Sequence, residues 1–222
     1  MFNFNHDQNA ANPNPNNYCG GYSLAAIATT MLGVFHNPIN VYQILRGIQL
    51  QNLQNNNPIN RPHSRALAIA RQPAGTDMLL PSTFLAAHYA QLNYELNMNQ
   101  GTFVQQALFP NNINVNDIIA EERTTINNLG ANLNQLIAGI NLQIFLNNDA
   151  VANNHQYWLV LVLGGRHWVA IERDPNNGQY CIYNPAGGIN AVANIAGDVI
   201  TYTDNNNNVH IDRWTGIAIS VA

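Results

Sequence analysis

The chain has 222 residues, of which 46% are hydrophobic and 9% are charged, and its formal net charge is −4 at pH 7. This length and apolar content suffice for the core of one domain. The charged fraction is far below the value of about 25% that is usual in globular proteins. The acidic balance excludes the basic surface that binds nucleic acid, and no apolar run reaches the roughly 18 residues that span a bilayer.

The first half of the chain carries mostly helical patterns. Residues 1–17 are rich in Asn and Pro and are expected to be extended or loosely ordered. Apolar side chains recur at helical spacing from Cys19 to about Leu32, and Gly33 offers a stop. Asn40 is the expected cap of the next helix. The remaining predicted helices cover residues 40–48, 81–96, 116–130 and 132–138.

The pattern changes to strands after Gly139. Residues 174–178 read as a turn between two strands, which predicts a hairpin, and residues 204–208 read as a second turn. The order of elements predicts a single α+β domain, with a helical lobe over residues 18–139 and a sheet lobe over residues 140–222. The predicted strands cover residues 142–146, 156–163, 167–173, 179–184, 198–203 and 215–221.

A cysteine at the start of the first predicted helix is the strongest chemical signal. The N-terminus of a helix offers unpaired N–H groups and a positive dipole end, both of which favour a thiolate at Cys19. Gly20 and Gly21 cost about 1 kcal/mol each in a helix, a cost that is understandable if a substrate carbonyl must approach the backbone. We therefore predict Cys19 as a nucleophile, with the two glycines in the substrate cleft.

A histidine and an asparagine in the second half complete the pattern. His167 begins a predicted strand, and Asn184 ends the next strand across the turn. The Asn184 side-chain oxygen can accept from one ring nitrogen of His167 while the other nitrogen faces Cys19. The resulting ion pair lowers the pKa of the thiol. Trp168 is expected to pack beside the cleft or to shield the ion pair from water.

Other residues remain open as alternatives. His155 is the second choice of base, and Asp174 and Asp198 are alternative orienting groups. No histidine pair has metal-ligand spacing, and only Cys181 could join a zinc site, so we expect no metal and no cofactor.

The three segments resemble those of the papain-like cysteine peptidases: Cys-Gly at a helix start, His followed by an aromatic residue on a strand, and Asn-Pro after the next strand. Short bacterial peptidases of the bacteriocin-processing type look most similar. The resemblance implies a papain-like fold, in which the helix that carries the nucleophile packs on a C-terminal antiparallel sheet. It also implies Cys19 as nucleophile, His167 as general base and acid, and Asn184 as the orienting residue.

The chain departs from this family at the oxyanion donor. The family usually carries a glutamine about six residues before the cysteine, but Pro13 occupies that position here, and Gln8 lies too far upstream to match. We predict Asn14 as the substitute, with the backbone N–H of Cys19 as the second donor. The other asparagines that could serve are Asn12, Asn16 and Asn17.

Lysine is absent, so all 8 basic residues are arginine. Two interpretations are open: an unusual or artificially altered composition, or function where lysine is a liability, such as a host cytosol in which lysines receive ubiquitin. The N-terminus lacks the features of a signal peptide, and the 2 cysteines suggest a reducing environment. We expect a cytoplasmic protein or one secreted into the cytosol of a host cell.

The expected activity is hydrolysis of a peptide or isopeptide bond by an acyl-enzyme route. The substrate would be a protein or peptide, and a bacterial effector or toxin acting on host proteins, including ubiquitin-type conjugates, fits the missing lysine. One alternative is deamidation or transglutamination of a protein glutamine by the same triad. Another is a non-enzymatic binding module on a degraded peptidase fold, which the missing glutamine favours.

Overall fold

The computed structural model describes residues 1–10, 18–53, 84, 94–98, 115–128, 134–137 and 141–221. The four helices of this part are α1 (Cys19–Leu32), α2 (Pro38–Leu53), α3 (Val115–Asn128) and α4 (Leu142–Ala152). The first two strands are β1 (Tyr94–Met98) and β2 (Asn134–Ile137). The other strands are β3 (Tyr157–Val162), β4 (His167–Arg173), β5 (Tyr180–Asn184), β6 (Ile189–Ala196), β7 (Val199–Thr203) and β8 (Val209–Val221). Among the helices of this part, none has the length and apolar character that a membrane crossing requires.

Strands β3 to β8 close into an antiparallel barrel. The strand order is β8-β3-β4-β5-β6-β7, and β7 pairs again with β8. Closure depends on β8, which has 13 residues. Residues 209–213 of β8 pair with β7, while its later residues pair with β3 on one side and with β1 on the other. Strand β2 then pairs in parallel with β1.

The predicted papain-like fold, with the nucleophile helix packed on an antiparallel sheet, is therefore wrong. The described chain forms a closed six-stranded antiparallel barrel with four short helices. The sequence pattern concealed the closure because it predicted β8 only from residue 215 and did not predict β6 at all. Strand β7 pairs with β6 and with the first half of β8, so a prediction that lacks both leaves β7 with no neighbouring strand.

Two clusters of buried side chains occupy opposite faces of the barrel wall. Trp158 and Val160 of β3 belong to a cluster that contains side chains from all six barrel strands and from α4. Leu159 and Leu161 of β3 belong to the other cluster, which includes the buried side of α1. Successive strand residues point to opposite faces, so a strand that is buried on both faces must be apolar along its whole length, as β3 is. This arrangement holds α1 against the outside of the barrel.

The first helix is confirmed, together with its predicted stop. Gly33 adopts a left-handed conformation with φ of 66°, and its N–H donates to the carbonyl oxygen of Thr29. The second helix begins at Pro38 rather than at residue 40, because Asn37 supplies the cap: its Oδ1 accepts from the N–H of Ile39 at 2.9 Å.

Three other predictions are wrong in type. Residues 134–137 form strand β2 rather than a helix, and residues 94–96, predicted as the end of a helix, lie in β1. Residues 142–146 form the start of α4 rather than a strand, because Asn141 accepts from the N–H of Ile144 at 3.0 Å and so caps a helix. Of residues 81–93 the structure describes only Phe84, which is helical.

The hairpin that carries the predicted base and orienting residue is confirmed. Strands β4 and β5 pair antiparallel, with Arg173 opposite Tyr180 next to the turn. In the turn, the N–H of Gly178 donates to the carbonyl oxygen of Asp174 at 2.8 Å. Gly178 has a φ of 72°, which L side chains rarely adopt. The turn therefore sets the register that brings the two strand ends together.

Candidate functional site

Cys19 is the first residue of α1 and is buried, with 6% of its surface exposed. Tyr18 precedes the helix and provides no side-chain cap. The first N–H groups of α1 therefore have no side-chain acceptor from Tyr18 and are free to stabilise a negative charge at the helix start. The first turn of α1 places the thiol next to the start of β4.

The environment of Cys19 favours its thiolate. Burial by itself raises the pKa of the thiol, because the charged form loses its water. The hydrogen bond and charge of His167 act in the opposite direction, as do backbone hydrogen bonds from Trp168 and Gly20. The combined effect lowers the pKa of Cys19 below its ordinary value.

His167 is buried at the start of β4, between Cys19 and Asn184. Its Nε2 lies 2.8 Å from Oδ1 of Asn184, which leaves Nδ1 for the interaction with the thiol. Burial lowers the pKa of His167, but Cys19, Asn184 and the charge of Asp212 raise it, and the net shift is upward. A lowered thiol pKa beside a raised imidazole pKa favours a thiolate–imidazolium pair.

Asn184 is held by two further contacts at the end of β5. Its Oδ1 also accepts from the N–H of Ala186 at 2.9 Å. Its Nδ2 donates to the hydroxyl of Tyr202 at 2.5 Å, and that hydroxyl donates to Asp212 at 2.9 Å. Neither Tyr202 nor Asp212 is predicted as a site residue from the sequence. An acidic residue inside a strand was the available signal, but the strand was not predicted to reach residue 212.

The predicted cleft residues have identifiable packing roles. A Cβ added to Gly21 would lie 2.7 Å from Cβ of Tyr42 and 2.8 Å from its backbone nitrogen, so Gly21 allows α2 to approach α1. Gly20 is buried in the first turn. Trp168 is 2% exposed and packs in the cluster that joins α1 to the barrel. Its carbonyl oxygen accepts from Ser23 at 3.0 Å.

The alternative base and the alternative orienting groups have other partners. Nδ1 of His155 lies 2.8 Å from Oδ1 of Asp149. Asp174 accepts from the N–H of Asn176 within the hairpin turn. Asp198 accepts from the N–H of Leu142 at 3.0 Å, at the start of α4.

The predicted oxyanion donor Asn14 lies outside the described residues, as do Asn12, Asn16 and Asn17. Gln8, set aside as too distant in sequence, is 4% exposed. Its backbone N–H donates to the carbonyl oxygen of Pro185 at 3.0 Å, and its Oε1 is buried without a hydrogen-bond partner. The N-terminal segment therefore brings Gln8 next to the residue that follows Asn184.

The described part of the chain contains no group of three or more His, Cys, Asp or Glu residues arranged to hold a metal ion. Cys19 and Cys181 are both free thiols. Comparison of the chain with protein-family models, with curated proteins and with solved structures found no match. The case for a function therefore depends on the contacts among Cys19, His167 and Asn184.

Proposed function

We propose that this protein is a thiol-dependent hydrolase that cleaves a peptide or isopeptide bond, with Cys19 as nucleophile, His167 as general base and acid, and Asn184 as the residue that orients His167. The observation that carries the proposal is the position of His167. One ring nitrogen bonds to Asn184 at 2.8 Å, and the ring also interacts with the Cys19 thiol, whose pKa it lowers.

The chemistry follows from these positions. The Cys19 thiolate attacks the carbonyl carbon and forms a C–S bond, while the backbone N–H of Cys19 donates to the developing oxyanion. The C–N bond then breaks, and the leaving amine takes a proton from His167. A water molecule next attacks the thioester and gives a proton to His167. The C–S bond breaks, the acid product leaves, and the proton on His167 restores the starting pair.

Burial has a specific benefit in such a site. The thiolate and the imidazolium attract each other more strongly away from water, and the backbone hydrogen bonds to the thiolate do not need to reorganise during the reaction. A cysteine with only a packing role would be expected to keep a raised pKa, as Cys181 does because of its burial. The contrast between the two buried cysteines supports an enzymatic role over the binding module.

We further propose a protein substrate inside a host cell, with ubiquitin-type conjugates as the first class to test. The supporting observation is the absence of lysine from the whole chain. The same observation favours one second candidate, in which the side-chain acyl group of a protein glutamine is transferred to an amine with release of ammonia. An enzyme without lysine offers no side-chain amine for its own cross-linking. Deamidation of that glutamine by water uses the same thioester.

The first experiment measures the pH dependence of Cys19 alkylation by iodoacetamide, with peptide mapping to separate Cys19 from Cys181. We expect wild-type Cys19 to react well below the ordinary thiol pKa of about 8.5. His167→Ala should return the reaction to that of an ordinary thiol. His155→Ala is the matched control, because His155, like His167, is buried and hydrogen-bonded to another side chain, and it should leave the profile unchanged.

Ordinary thiol behaviour in the wild type would refute the enzyme proposal and favour a binding role. With an activated thiol, incubation with ubiquitin conjugates and host proteins, read by mass spectrometry, separates the reactions. Hydrolysis yields fragments, whereas deamidation changes an amide to an acid at full chain length, and transglutamination joins two chains.

A further inference from the structure

Asn184 contacts a buried hydroxyl, and that hydroxyl contacts a buried carboxylate; the proposed mechanism uses neither group. The hydroxyl of Tyr202 accepts from Nδ2 of Asn184 at 2.5 Å and donates to Oδ2 of Asp212 at 2.9 Å. Tyr202 and Asp212 are 3% and 6% exposed. Because Asp212 pairs with Ile200 and Tyr202 pairs with His210 across β7 and β8, Tyr202 and Asp212 are diagonal neighbours on one face.

The direction of each hydrogen bond in the series from Asp212 through Tyr202 and Asn184 to His167 follows from the carboxylate of Asp212. A carboxylate has no proton to give, so the Tyr202 hydroxyl donates to it and has only lone pairs left for Asn184. The amide of Asn184 must therefore turn its NH₂ group to Tyr202 and its oxygen to His167. An oxygen at that place requires a proton on Nε2 of His167, which in the neutral ring leaves Nδ1 as the acceptor that faces Cys19.

Two further observations agree with this direction. Burial raises the pKa of Tyr202 above its ordinary value, so the hydroxyl keeps the proton that it donates to Asp212. The backbone N–H of Ala186, which can only donate, also points to Oδ1 of Asn184 at 2.9 Å. The backbone N–H of Ala186 and the hydrogen bonds through Tyr202 to Asp212 thus require the same orientation of the Asn184 amide.

We propose that Tyr202 and Asp212 are positioning residues for the Cys19 site: through Asn184 they hold His167 in the tautomer that can take the thiol proton. This inference rests on the proposed function, because it assigns a role in activating the same thiol. Tyr202 and Asp212 act through Asn184 rather than on a substrate.

Asp212 has a second effect through its charge. Burial lowers the pKa of His167, and the negative charge of Asp212 is among the interactions that raise it, together with Cys19 and Asn184. A buried carboxylate acts on an imidazolium through a medium that screens it less than water does. Asp212 therefore extends the pH range in which the imidazolium persists.

A second histidine–carboxylate pair lies beside Tyr202 and is more exposed. The ring of His210 stacks on Tyr202 with centroids 5.1 Å apart, and its Nε2 lies 3.0 Å from Oδ2 of Asp204. The side chains of His210 and Asp204 are 34% and 13% exposed, so water and salt screen this pair more than they screen Asp212. A His210→Gln variant separates any titration of His210 from that of His167.

The test compares wild type with Tyr202→Phe and Asp212→Asn by the pH profile of Cys19 alkylation. In metal sites, loss of the groups that orient a metal-binding histidine typically costs about 10–100-fold in affinity or activity. By analogy, we expect Tyr202→Phe to lower the rate of Cys19 alkylation near neutral pH by a similar factor. Asp212→Asn keeps the size of the side chain, and it should shift loss of the imidazolium to lower pH because a negative charge is removed.

Matched controls separate positioning from general destabilisation. Tyr183→Phe also removes a buried tyrosine hydroxyl, which donates to the carbonyl oxygen of His6 at 2.5 Å and lies outside the chain of hydrogen bonds to Asp212. Asp149→Asn removes the charge of another buried carboxylate, which bonds to His155 and Trp158. Both controls should lower thermal stability and leave the alkylation profile unchanged.

A spectroscopic measurement reads the tautomer without a thiol reaction. In a Cys19→Ala background the neutral His167 ring should show its proton on Nε2 in ¹⁵N-detected histidine spectra, with His167→Ala identifying the signal. Asp212→Asn should mix the two tautomers, because an amide at position 212 can present either an oxygen or an NH₂ group to Tyr202.

The outcomes distinguish the two proposals. Ordinary reactivity of Cys19 in the wild type would overturn the proposed function. An activated wild-type thiol, with unchanged profiles and an unchanged His167 tautomer in folded Asp212→Asn, would overturn this inference alone. If Tyr202→Phe does not fold, Asp212→Asn decides the question by itself.

Discussion

Nε2 of His167 and Oδ1 of Asn184 lie 2.8 Å apart across the β4–β5 hairpin, although 17 residues separate them in sequence. Ala170 pairs with Tyr183, so continuation of the register places Asn184 diagonally opposite His167. Successive strand residues alternate between faces, and a one-residue slip would turn Asn184 to the other face. The turn at residues 174–178 is therefore part of what assembles the site.

Asn184→Asp should alter the acid–base behaviour of the site in a defined direction. The added negative charge beside His167 raises the pKa of the imidazolium, so the thiolate–imidazolium pair should persist to higher pH. Tyr202 would then face two carboxylates with one proton, and we expect the free energy of unfolding to fall by about 1–3 kcal/mol. The pH profile of Cys19 alkylation and denaturant unfolding measure the two effects.

Asn190→Asp is the control for that variant. Nδ2 of Asn190 donates to the carbonyl oxygen of Phe2 at 2.6 Å, so the substitution also removes a partly buried amide donor. It should cost stability without moving the alkylation profile. An Asn184→Asp profile that coincides with wild type at its alkaline end would contradict the assigned contact with His167.

Gly21→Ala should destabilise the pair of helices α1 and α2. The added Cβ would lie 2.7–2.8 Å from the Cβ, Cα and backbone nitrogen of Tyr42, so backbone must move, and overpacking of this kind costs about 1–3 kcal/mol. Gly47→Ala is the control, because nothing lies within 4 Å of its added Cβ. In the interior of α2 that substitution should stabilise by about 1 kcal/mol. Thermal unfolding of both variants checks the prediction, which equal stabilities would refute.

Asp149 should contribute stability that disappears in acid. Burial by itself raises the pKa of this carboxyl, but hydrogen bonds from His155, Asn153 and Trp158 lower it below its ordinary value. The folded state therefore releases its proton more readily than the unfolded state. The contribution is complete above the unfolded pKa of about 3.9 and is lost as the pH falls through the lowered folded value.

Asp149→Asn removes that dependence on pH. We expect the variant to be less stable than wild type by about 1–3 kcal/mol at neutral pH, with a difference that narrows below the ordinary carboxyl pKa. Denaturant unfolding at several pH values measures it. Asp174→Asn, in the exposed hairpin turn, is the comparison and should show a smaller loss at neutral pH. A difference that stays constant into acid would show that the charge of Asp149 is not involved.

The parts of the fold that sequence predicted best are those in which local chemistry decides the structure. The helix from Cys19 ends at Leu32, because Gly33 adopts the left-handed conformation that stops it, and the β4–β5 hairpin depends on Asp174 and Gly178 in its turn. Barrel closure depends instead on β8, which must pair with β7 along its first residues and with β3 along its later ones. Such pairings between distant segments leave little trace in local periodicity.

The candidate site divides in the same way. Cys19, His167 and Asn184 were predicted because their residue types and neighbours indicate a chemistry, and the structure brings them into contact. Tyr202 and Asp212 have ordinary neighbours in sequence, and only the β7–β8 register places them behind Asn184. The role of Gly21 was interpreted as substrate access because the approach of Tyr42 is a tertiary contact.

The oxyanion donor is decided by comparing Gln8→Ala with Asn14→Ala. Gln8 is buried next to Pro185, and we expect the NH₂ group of its side chain to be the donor. Losing one oxyanion donor costs on the order of 10²–10³ in rate, because the charge on the carbonyl oxygen appears only during attack. Alkylation of Cys19 forms no oxyanion, so Gln8→Ala should keep wild-type alkylation while acylation by a peptide ester falls. A large loss of acylation in Asn14→Ala, with Gln8→Ala unaffected, would assign the donor to Asn14 instead.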